Sequence, residues 1–457
     1  MRKELLLADL IALCGSARPT GLDMPARLVI DSRQATPGSI FCALKGEHTD
    51  GHAFVADAFA RGAIAALVSQ PVALPDTPLL IRVPDVLQAL QRAATHWRQQ
   101  FDIPVIGVTG SVGKTTTKEV IAQVLAQRFE VLCSPCSYNN ELGLPLTLLQ
   151  LHSEHTAAVL EMGMYTRGDI HALTEIARPT MGVVTNVEAV HLERAKTLEN
   201  IALTKQELVE ALPTAEAGGI AVLNYDDQHV RAMAQATDAQ VLFYGLSPEA
   251  DLWADDLQSL GLAGIQARLH YQDEATIVRA PLLGLHNVQT VLRAAAVGLL
   301  MGLSWDELSA GLWNLNNAPR LTTVRSNQGA LILDDTYNAS PPAVLAALDL
   351  LNELQGRKIA VLGDMLELGK YEAAGHQQVG QRAAEVAEQL VLVGQLAKHY
   401  IAGARAQGMA QEHLYVAADN ADAVRYLQSL LGPEDIVLIK GSRGMQMETI
   451  VAALTQR

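Results

Sequence analysis

The sequence predicts an α/β chain of three domains, and three observations carry that prediction. Short apolar, strand-like runs alternate with helix-prone stretches over most of the length, the pattern of mostly parallel sheets faced by helices. The alternation breaks at Asn314 to Pro319, an Asn-rich stretch ending in proline, and restarts beyond it. The chain has 457 residues, and 49% of them are hydrophobic. That length has room for about three domains with cores of their own. Aromatics are only 4%, so those cores are aliphatic. The expected boundaries are 1–83 for a small N-terminal α/β domain, 84–317 for a central one and 318–457 for a C-terminal one.

The N-terminal stretch superficially resembles a secretory signal, with Arg2-Lys3 before Leu5 to Cys14. Glu4 and Asp9 interrupt the apolar run, and Leu6, Leu10 and Leu13 recur on one helical face. An amphipathic first helix is expected. No run approaches the roughly 20 apolar residues needed to cross a bilayer, so no membrane span is expected. Strands are expected at Leu28 to Ile30, Ile40 to Leu44 and Ala63 to Val68, with a helix at Phe54 to Arg61. Two polar clusters lie at strand ends, Asp31-Ser32-Arg33 and Lys45-Gly46 with Asp50-Gly51-His52. Such clusters are ordinary turn chemistry, and they are also where an α/β domain places ligand contacts.

A helix over 84–100 leads into the central domain. Its first strand, from Val105, runs into Thr109-Gly110-Ser111-Val112-Gly113-Lys114-Thr115-Thr116, and a helix-prone stretch over Glu119 to Arg128 follows. A strand, a glycine-bracketed turn and a helix make an anion site from backbone N–H groups and the helix N-terminus. Lys114 is placed to reach the β/γ-phosphates of a nucleotide, and the Thr115 hydroxyl to meet Mg²⁺. The usual longer loop has a glycine where Val108 stands, so this turn is a shortened form. Further strands are expected at Ala157 to Leu160, Met181 to Val184, Gly219 to Leu223 and Val241 to Tyr244. The C-terminal set is Leu331 to Leu333, Lys358 to Leu362, Gln389 to Val393, His413 to Val416 and Asp435 to Ile439, read as a doubly wound sheet.

Charge and cysteine usage exclude several classes. The net charge of −15 argues against nucleic acid, which demands clustered Lys and Arg. Cys14, Cys42, Cys133 and Cys136 are too few for a disulfide framework and suit a reducing cytoplasm. Cys133 and Cys136 form a C-x-x-C with no second pair to complete a zinc site, so the spacing reads as incidental.

Glu161 closes its strand at the carboxyl edge, where it can hold the ion that Thr115 touches, or be a solvated strand-end acid. His191 follows the next strand and its loop, as a metal ligand or as polar surface. Lys205 lies on a helical pattern and, from physics alone, reads as a solvated helix lysine. Arg320 follows Pro319 at the domain junction, where a guanidinium suits a phosphoryl group. Asp334-Asp335-Thr336-Tyr337-Asn338 ends a strand. Asn287 opens a helix, where it can hydrogen-bond a base edge or cap that helix. Lys440-Gly441-Ser442-Arg443 ends the last strand and can face a substrate carboxylate.

These pieces, in this order, resemble the Mur ligase family over essentially the whole chain. The marks are Thr109 to Thr115, Asn139-Asn140 with Gly143-Leu144-Pro145, Glu161-Met162-Gly163, His191, Lys205, His286-Asn287, Pro319-Arg320-Leu321 and Lys440 to Arg443. The family's shortened phosphate loop accounts for Val108. Asp334 to Ala339 and Leu362 to Gly369 resemble the type that adds a terminal dipeptide. The Asp-Asn-Pro-Arg reader of the type that adds a diamino acid is missing. Val190 stands where many members carry Asp, which the dipeptide-adding type tolerates.

The resemblance implies a P-loop ATPase-like central domain and a Rossmann-like C-terminal domain. It also implies ATP-driven joining of D-alanyl-D-alanine to UDP-N-acetylmuramoyl-tripeptide through an acyl phosphate, with two Mg²⁺ ions. It assigns Lys114, His191, Lys205 and Arg320 to catalysis. Thr109 to Thr116, Asn287, Arg320, Asp335, Tyr337 and Asn338 go to ATP. Thr115, Glu161, His191 and a carbamylated Lys205 go to metal. Ser32, Arg33, Lys45, Gly46, Asn139 and Asn140 go to the UDP-linked substrate, and Lys440, Ser442 and Arg443 to the amine. A cytoplasmic monomer is expected. The rivals are a diamino-acid-adding or folylpolyglutamate-type ligase of the same fold, and a nucleotide-gated binding subunit that has lost catalysis.

Overall fold

The computed structural model describes residues 4–46, 49–74, 79–135, 137–188, 196–315 and 321–455. His191, Arg320 and Cys136 lie outside the described residues. The three-part α/β class predicted from the sequence is the observed one: a four-stranded, a nine-stranded and a six-stranded sheet follow one another along the chain.

The first sheet is parallel throughout and runs Arg27–Val29, Ser39–Cys42, Ala65–Val68, Leu79–Arg82. The last of these strands escaped the sequence reading. The first helix, Leu7–Leu13, buries Leu7, Leu10 and Ile11, so its inward face is rotated from the expected Leu6–Leu10–Leu13 stripe. The cause is visible at its start. Leu6 stays in extended backbone, bridged to Pro25, and the helix begins one residue later.

Helix Val86–Arg98 joins the first sheet to the second. Its Val86, Leu90, Ala93 and Trp97 share one core with Ile40 and Leu67 on one side and Leu144, Leu160 and Ile170 on the other. The Trp97 indole donates to the Leu151 carbonyl (3.0 Å), and the buried Arg98 guanidinium donates to the carbonyls of Ala177 (3.0 Å) and Phe101 (2.6 Å).

Across the second sheet the strands run Glu274–Ala280, Ile265–Tyr271, Leu252–Ser259, Gln240–Gly245, Ile220–Asn224, Met181–Val184, Val105–Thr109, Ala157–Glu161, Val131–Cys133. The phosphate-loop strand Val105–Thr109 is buried at all five positions, between Ala157–Glu161 and Met181–Val184. All three strands are parallel, so Gly110, Glu161 and Thr185 emerge along one edge. The first three strands in that order form an antiparallel extension that the sequence did not announce. Cys133 is part of the last one, and burial pushes its thiol up to about 11, so it carries no reactive thiolate.

The third sheet runs Thr322–Arg325, Leu331–Asp335, Asp435–Lys440, Arg357–Gly363, Gln389–Val393, Leu414–Ala417, with only the first strand antiparallel. Helices Pro341–Glu353, Glu372–Val386 and Ala397–Ala406 cover one face, and Asn420–Leu430 and Glu448–Thr455 the other. It is doubly wound, as expected. Asp335 and Lys440 finish adjacent strands in register. Contacts to the central sheet include Tyr337 with Ser137 and Ser259 with Glu353, both hydroxyl bonds.

Candidate active site

A cavity of about 1520 Å³ lies between the carboxyl edge of the central sheet and the third sheet. It exceeds the roughly 300–1,000 Å³ typical of a site for one small ligand. The phosphate loop, Glu161, Lys205, Asn287, Asp335 and Arg443 all line it.

The loop's shape rests on two glycines. Gly110 has φ +146°, and a Cβ there would sit 1.7 Å from the Thr185 hydroxyl oxygen. Gly113, at φ +82°, is the residue before helix Lys114–Leu125, which starts at Lys114, earlier than the sequence indicated. The neighbouring strand end grips the turn. The Val112 N–H donates to Asn186 Oδ1 (2.9 Å), and the Thr185 hydroxyl donates to the Val112 carbonyl (2.7 Å). Lys114 Nζ donates to the carbonyls of Gly110 (2.8 Å) and Ser111 (3.2 Å), curling over the loop. Thr109 differs from its expected role. Its buried hydroxyl donates to the Met162 carbonyl (2.9 Å), and it does not line the cavity.

Glu161 is 1% exposed. The Thr115 hydroxyl donates to its Oε2 (2.6 Å) and Asn139 Nδ2 donates to its Oε1 (2.8 Å). The alternative of a solvated strand-end acid therefore fails: this carboxylate is buried and held by two donors. Asn140 accepts the Gly143 N–H (2.9 Å) at the start of helix Gly143–Leu148. Asn139 and Asn140 line the cavity, whereas Ser32, Arg33, Lys45 and Gly46 do not. Those four belong to the first sheet's loops. Arg33 is exposed and paired with Asp31 (2.7 Å), whose carboxyl the guanidinium lowers to about 2.

Lys205 corrects the physics-only reading. It sits on helix Leu198–Glu210 and is 2% exposed. Burial, with the nearby Lys114 charge second, pushes its amine well below the ordinary lysine value. No carboxylate among the described residues pairs with it.

On the opposite wall, Asn287 does not cap its helix through its side chain. Its amide donates to the Leu283 carbonyl (2.8 Å), and its oxygen accepts from the Thr290 hydroxyl (3.2 Å). Lys440 also departs from expectation. It is 3% exposed, and its ammonium donates to Asp335 (2.6 Å) and to the Asn338 carbonyl (2.9 Å), so it is not a loose cation. Ser442 is likewise engaged, accepting the Leu366 N–H (2.8 Å). Arg443, exposed and stacked over the Tyr337 ring at 5.1 Å, is the cation this strand end turns toward the cavity.

Sequence reasoning missed Glu188, Asp226, Asp227 and Arg293, all of which line the cavity. Glu188 is tied to the loop, its N–H donating to the Ser111 hydroxyl (2.8 Å), and burial pushes its carboxyl up. Its place after Asn186 was the available signal. Arg293 had none, for it stands in an apolar helix.

A buried carboxylate and threonine at the end of a shortened phosphate loop, facing a buried lysine and a doubly wound domain, define a nucleotide-dependent ligase fold. The chain belongs to the Mur ligase family. Residues 26–98 match the model for the Mur ligase family catalytic domain, 108–298 the Mur ligase middle domain, and 319–443 the Mur ligase glutamate ligase domain. It is 37% identical over 428 residues to a Synechocystis protein named UDP-N-acetylmuramoyl-tripeptide–D-alanyl-D-alanine ligase, covering 93% of this chain and 90% of that one. A protein of the same name from Escherichia coli is 36% identical, with 93% of each chain covered. Among solved structures, MurF from Acinetobacter baumannii superposes with a TM-score of 0.87 at 31% identity over 98% of both chains. MurF ligase from Thermotoga maritima in complex with ADP gives 0.81 at 28% identity, over 94% of this chain and 97% of that one. The chain is an ATP-dependent ligase forming C–N bonds, as members of this family are.

Proposed function

We propose that the chain joins the amine of D-alanyl-D-alanine to the terminal carboxylate of UDP-N-acetylmuramoyl-tripeptide, in peptidoglycan precursor synthesis. The observation that carries this reading is the convergence of Lys114, Thr115, Glu161 and Lys205 on one cavity, in a chain whose full-length relatives bear that name. A structure named as a 2,6-diaminopimelate-adding ligase superposes with a TM-score of only 0.55 at 21% identity, a likeness of fold.

A carboxylate cannot expel oxide, so it is activated first, and ATP supplies the phosphoryl group that makes it an acyl phosphate. Lys114 leaves its loop carbonyls to neutralise the transferring phosphate. The site's chemistry suits Mg²⁺: a buried carboxylate beside a hydroxyl offers hard oxygen donors. Such an ion, when bound, would supply positive charge against the approach of two anions. Thr115 and Glu161 would hold one such ion, and Lys205 with His191 a second. For that, Lys205 acts as a carbamate: its neutral amine attacks carbon dioxide, an N–C bond forms and a proton leaves. Burial keeps the amine neutral for that attack, and the Lys114 charge then favours the anion.

Ser32, Arg33, Lys45 and Gly46 hold the UDP end, remote from the reacting carboxylate, and Asn140 lies along its path. Asn139 aims Glu161. Asn287, Asp335, Tyr337 and Asn338 surround the nucleotide, with Arg320 on its phosphates. Arg443 receives the dipeptide carboxylate, and the Lys440–Asp335 pair braces the strand ends that present it. A monomer in the bacterial cytoplasm, where UDP-linked precursors are soluble, completes the reading. No described helix is long and apolar enough to cross a membrane.

The test is ADP release with ATP, the UDP-linked tripeptide and one amine at a time. Release with D-alanyl-D-alanine and none with meso-diaminopimelate or L-lysine is expected. The reverse pattern refutes the dipeptide assignment and leaves a ligase.

A further inference from the structure

Helix Val288–Leu300 is almost wholly apolar on its inner side, and Arg293 stands in the middle of it. The side chain is 4% exposed, yet it lines the central cavity. Its Nη2 donates to the Thr290 hydroxyl (3.0 Å), and Thr290 in turn donates to Asn287. The guanidinium carbon lies 5.8 Å from the centre of the Tyr244 ring. Tyr244 is no counter-charge, for burial raises its hydroxyl to about 12, and it donates to the Val184 carbonyl (2.9 Å). Arg293 Nε is buried without a hydrogen-bond partner. No carboxylate among the described residues forms an ion pair with the group. Burial disfavours its charge, as expected for a cation with no anion beside it.

A buried, unpaired charge is among the most unfavourable features a core can hold, and a buried unpartnered donor calls for an explanation. The position of the guanidinium supplies one. Its Nη2 comes within 3.6 Å of where a Cβ on Gly113 would stand, so it lies directly against the phosphate loop. Guanidinium is the side-chain group best shaped to meet phosphate oxygens, and it stays charged where an ammonium would lose its proton.

We propose that Arg293 is a nucleotide-binding residue whose missing counter-ion is the polyphosphate of the bound nucleotide. Lys114 approaches the phosphates from the loop, and Arg293 approaches from the helix that begins at Asn287. The Arg293–Thr290–Asn287 relay ties the phosphate end of the site to the wall assigned to the base and ribose. The inference rests on the reading that ATP occupies this loop.

The experiment compares the full chain with Arg293→Met and Lys114→Met, by calorimetric titration of ADP and adenosine and by thermal unfolding without ligand. Arg293→Met keeps most of the volume and removes the charge. The expected result is at least tenfold weaker ADP binding, with an unliganded melting temperature no lower than that of the parent. A merely structural arginine gives the opposite: a lower melting temperature and ADP affinity within threefold of the parent, which overturns the proposal. If Arg293→Met both melts lower and binds weakly, titration of adenosine, which has no phosphate, decides. A loss confined to ADP supports a charge acting on phosphate, and an equal loss of adenosine affinity overturns the proposal. Unchanged binding in Arg293→Met while Lys114→Met loses ADP refutes this inference alone. A parent that binds no ADP refutes the underlying reading and this one with it.

Discussion

The two loop glycines make different demands on the chain, and alanine substitutions separate them. At Gly110 an added Cβ meets the Thr185 hydroxyl oxygen at 1.7 Å and its Cβ at 2.9 Å, with φ at +146°. Backbone strain of that kind costs about 1–3 kcal/mol. The clash also displaces the Thr185 hydroxyl from the Val112 carbonyl, a 2.7 Å bond whose loss costs about 1–3 kcal/mol where an acceptor is left buried. The total is about 2–6 kcal/mol. At Gly113 the φ of +82° is a left-handed conformation, and the nearest atom is Arg293 Nη2 at 3.6 Å, an ordinary contact. Only strain of about 1–2 kcal/mol applies there. If Gly110→Ala relieves its strain by deforming the loop, even about 2 kcal/mol is roughly 30-fold in ADP affinity. Gly113→Ala should lose no more than about 5–30-fold. Calorimetric ADP titration of the two variants, each shown to be folded, measures the difference. A Gly110→Ala protein that binds ADP within threefold of the parent, or more tightly than Gly113→Ala, refutes the packing argument.

Three further predictions follow from individual groups. Lys205→Ala should be inactive and regain part of its turnover with formate or acetate, which supply oxygen ligands where a carbamate stood; activity without such rescue or bicarbonate counts against the carbamate. Lys440→Met leaves the partly buried Asp335 without its partner and should destabilise the third domain by about 1–3 kcal/mol in denaturant unfolding. Restoration of stability by adding Asp335→Leu is expected, and a neutral single substitution would show the pair to be unimportant. His376 has a pH consequence. Its Nε2 accepts the Met365 N–H (3.0 Å), and its Nδ1 is 2.6 Å from the Glu372 carbonyl, so the fold requires the neutral ring. Burial holds its pKa below the ordinary 6.5. The unfolded chain therefore takes up the proton first as pH falls through about 6.5, and stability declines from there until the folded pKa is passed. His376→Gln should flatten that part of the melting-temperature profile, and an unchanged slope places its origin elsewhere.

What the sequence revealed follows physical rules, and so does what it hid. Uninterrupted apolar runs such as Val105–Thr109 and Asp435–Lys440 announced themselves because strands buried on both faces need no polar side. Leu252–Ser259 escaped because its alternation is carried by Leu252 and Ala254 and broken by Asp255 and Asp256. Thr322–Arg325 is a polar edge strand, and Val131–Cys133 has only three residues, too short for any period to show. At the site, glycine and lysine placement around residues 110–115 gave the phosphate loop away, since few other jobs use that spacing. Lys205 and Arg293 defeated pattern reading for a shared reason. A charged residue on a helix is normally at the surface, and only the tertiary packing shows that these two are buried beside the loop. Lys440 erred in the other direction: its place at a strand end pointed to substrate, but Asp335 ends the adjacent strand and takes the charge first.

The central claim is that the tripeptide carboxylate is activated by phosphorylation in the cavity between the phosphate loop and the third sheet. It is tested most directly by labelling that terminal carboxylate with ¹⁸O and running the reaction to completion with ATP and D-alanyl-D-alanine. The account predicts ADP as the nucleotide product and one labelled oxygen transferred into each molecule of inorganic phosphate. Unlabelled phosphate, or AMP with pyrophosphate, would contradict it.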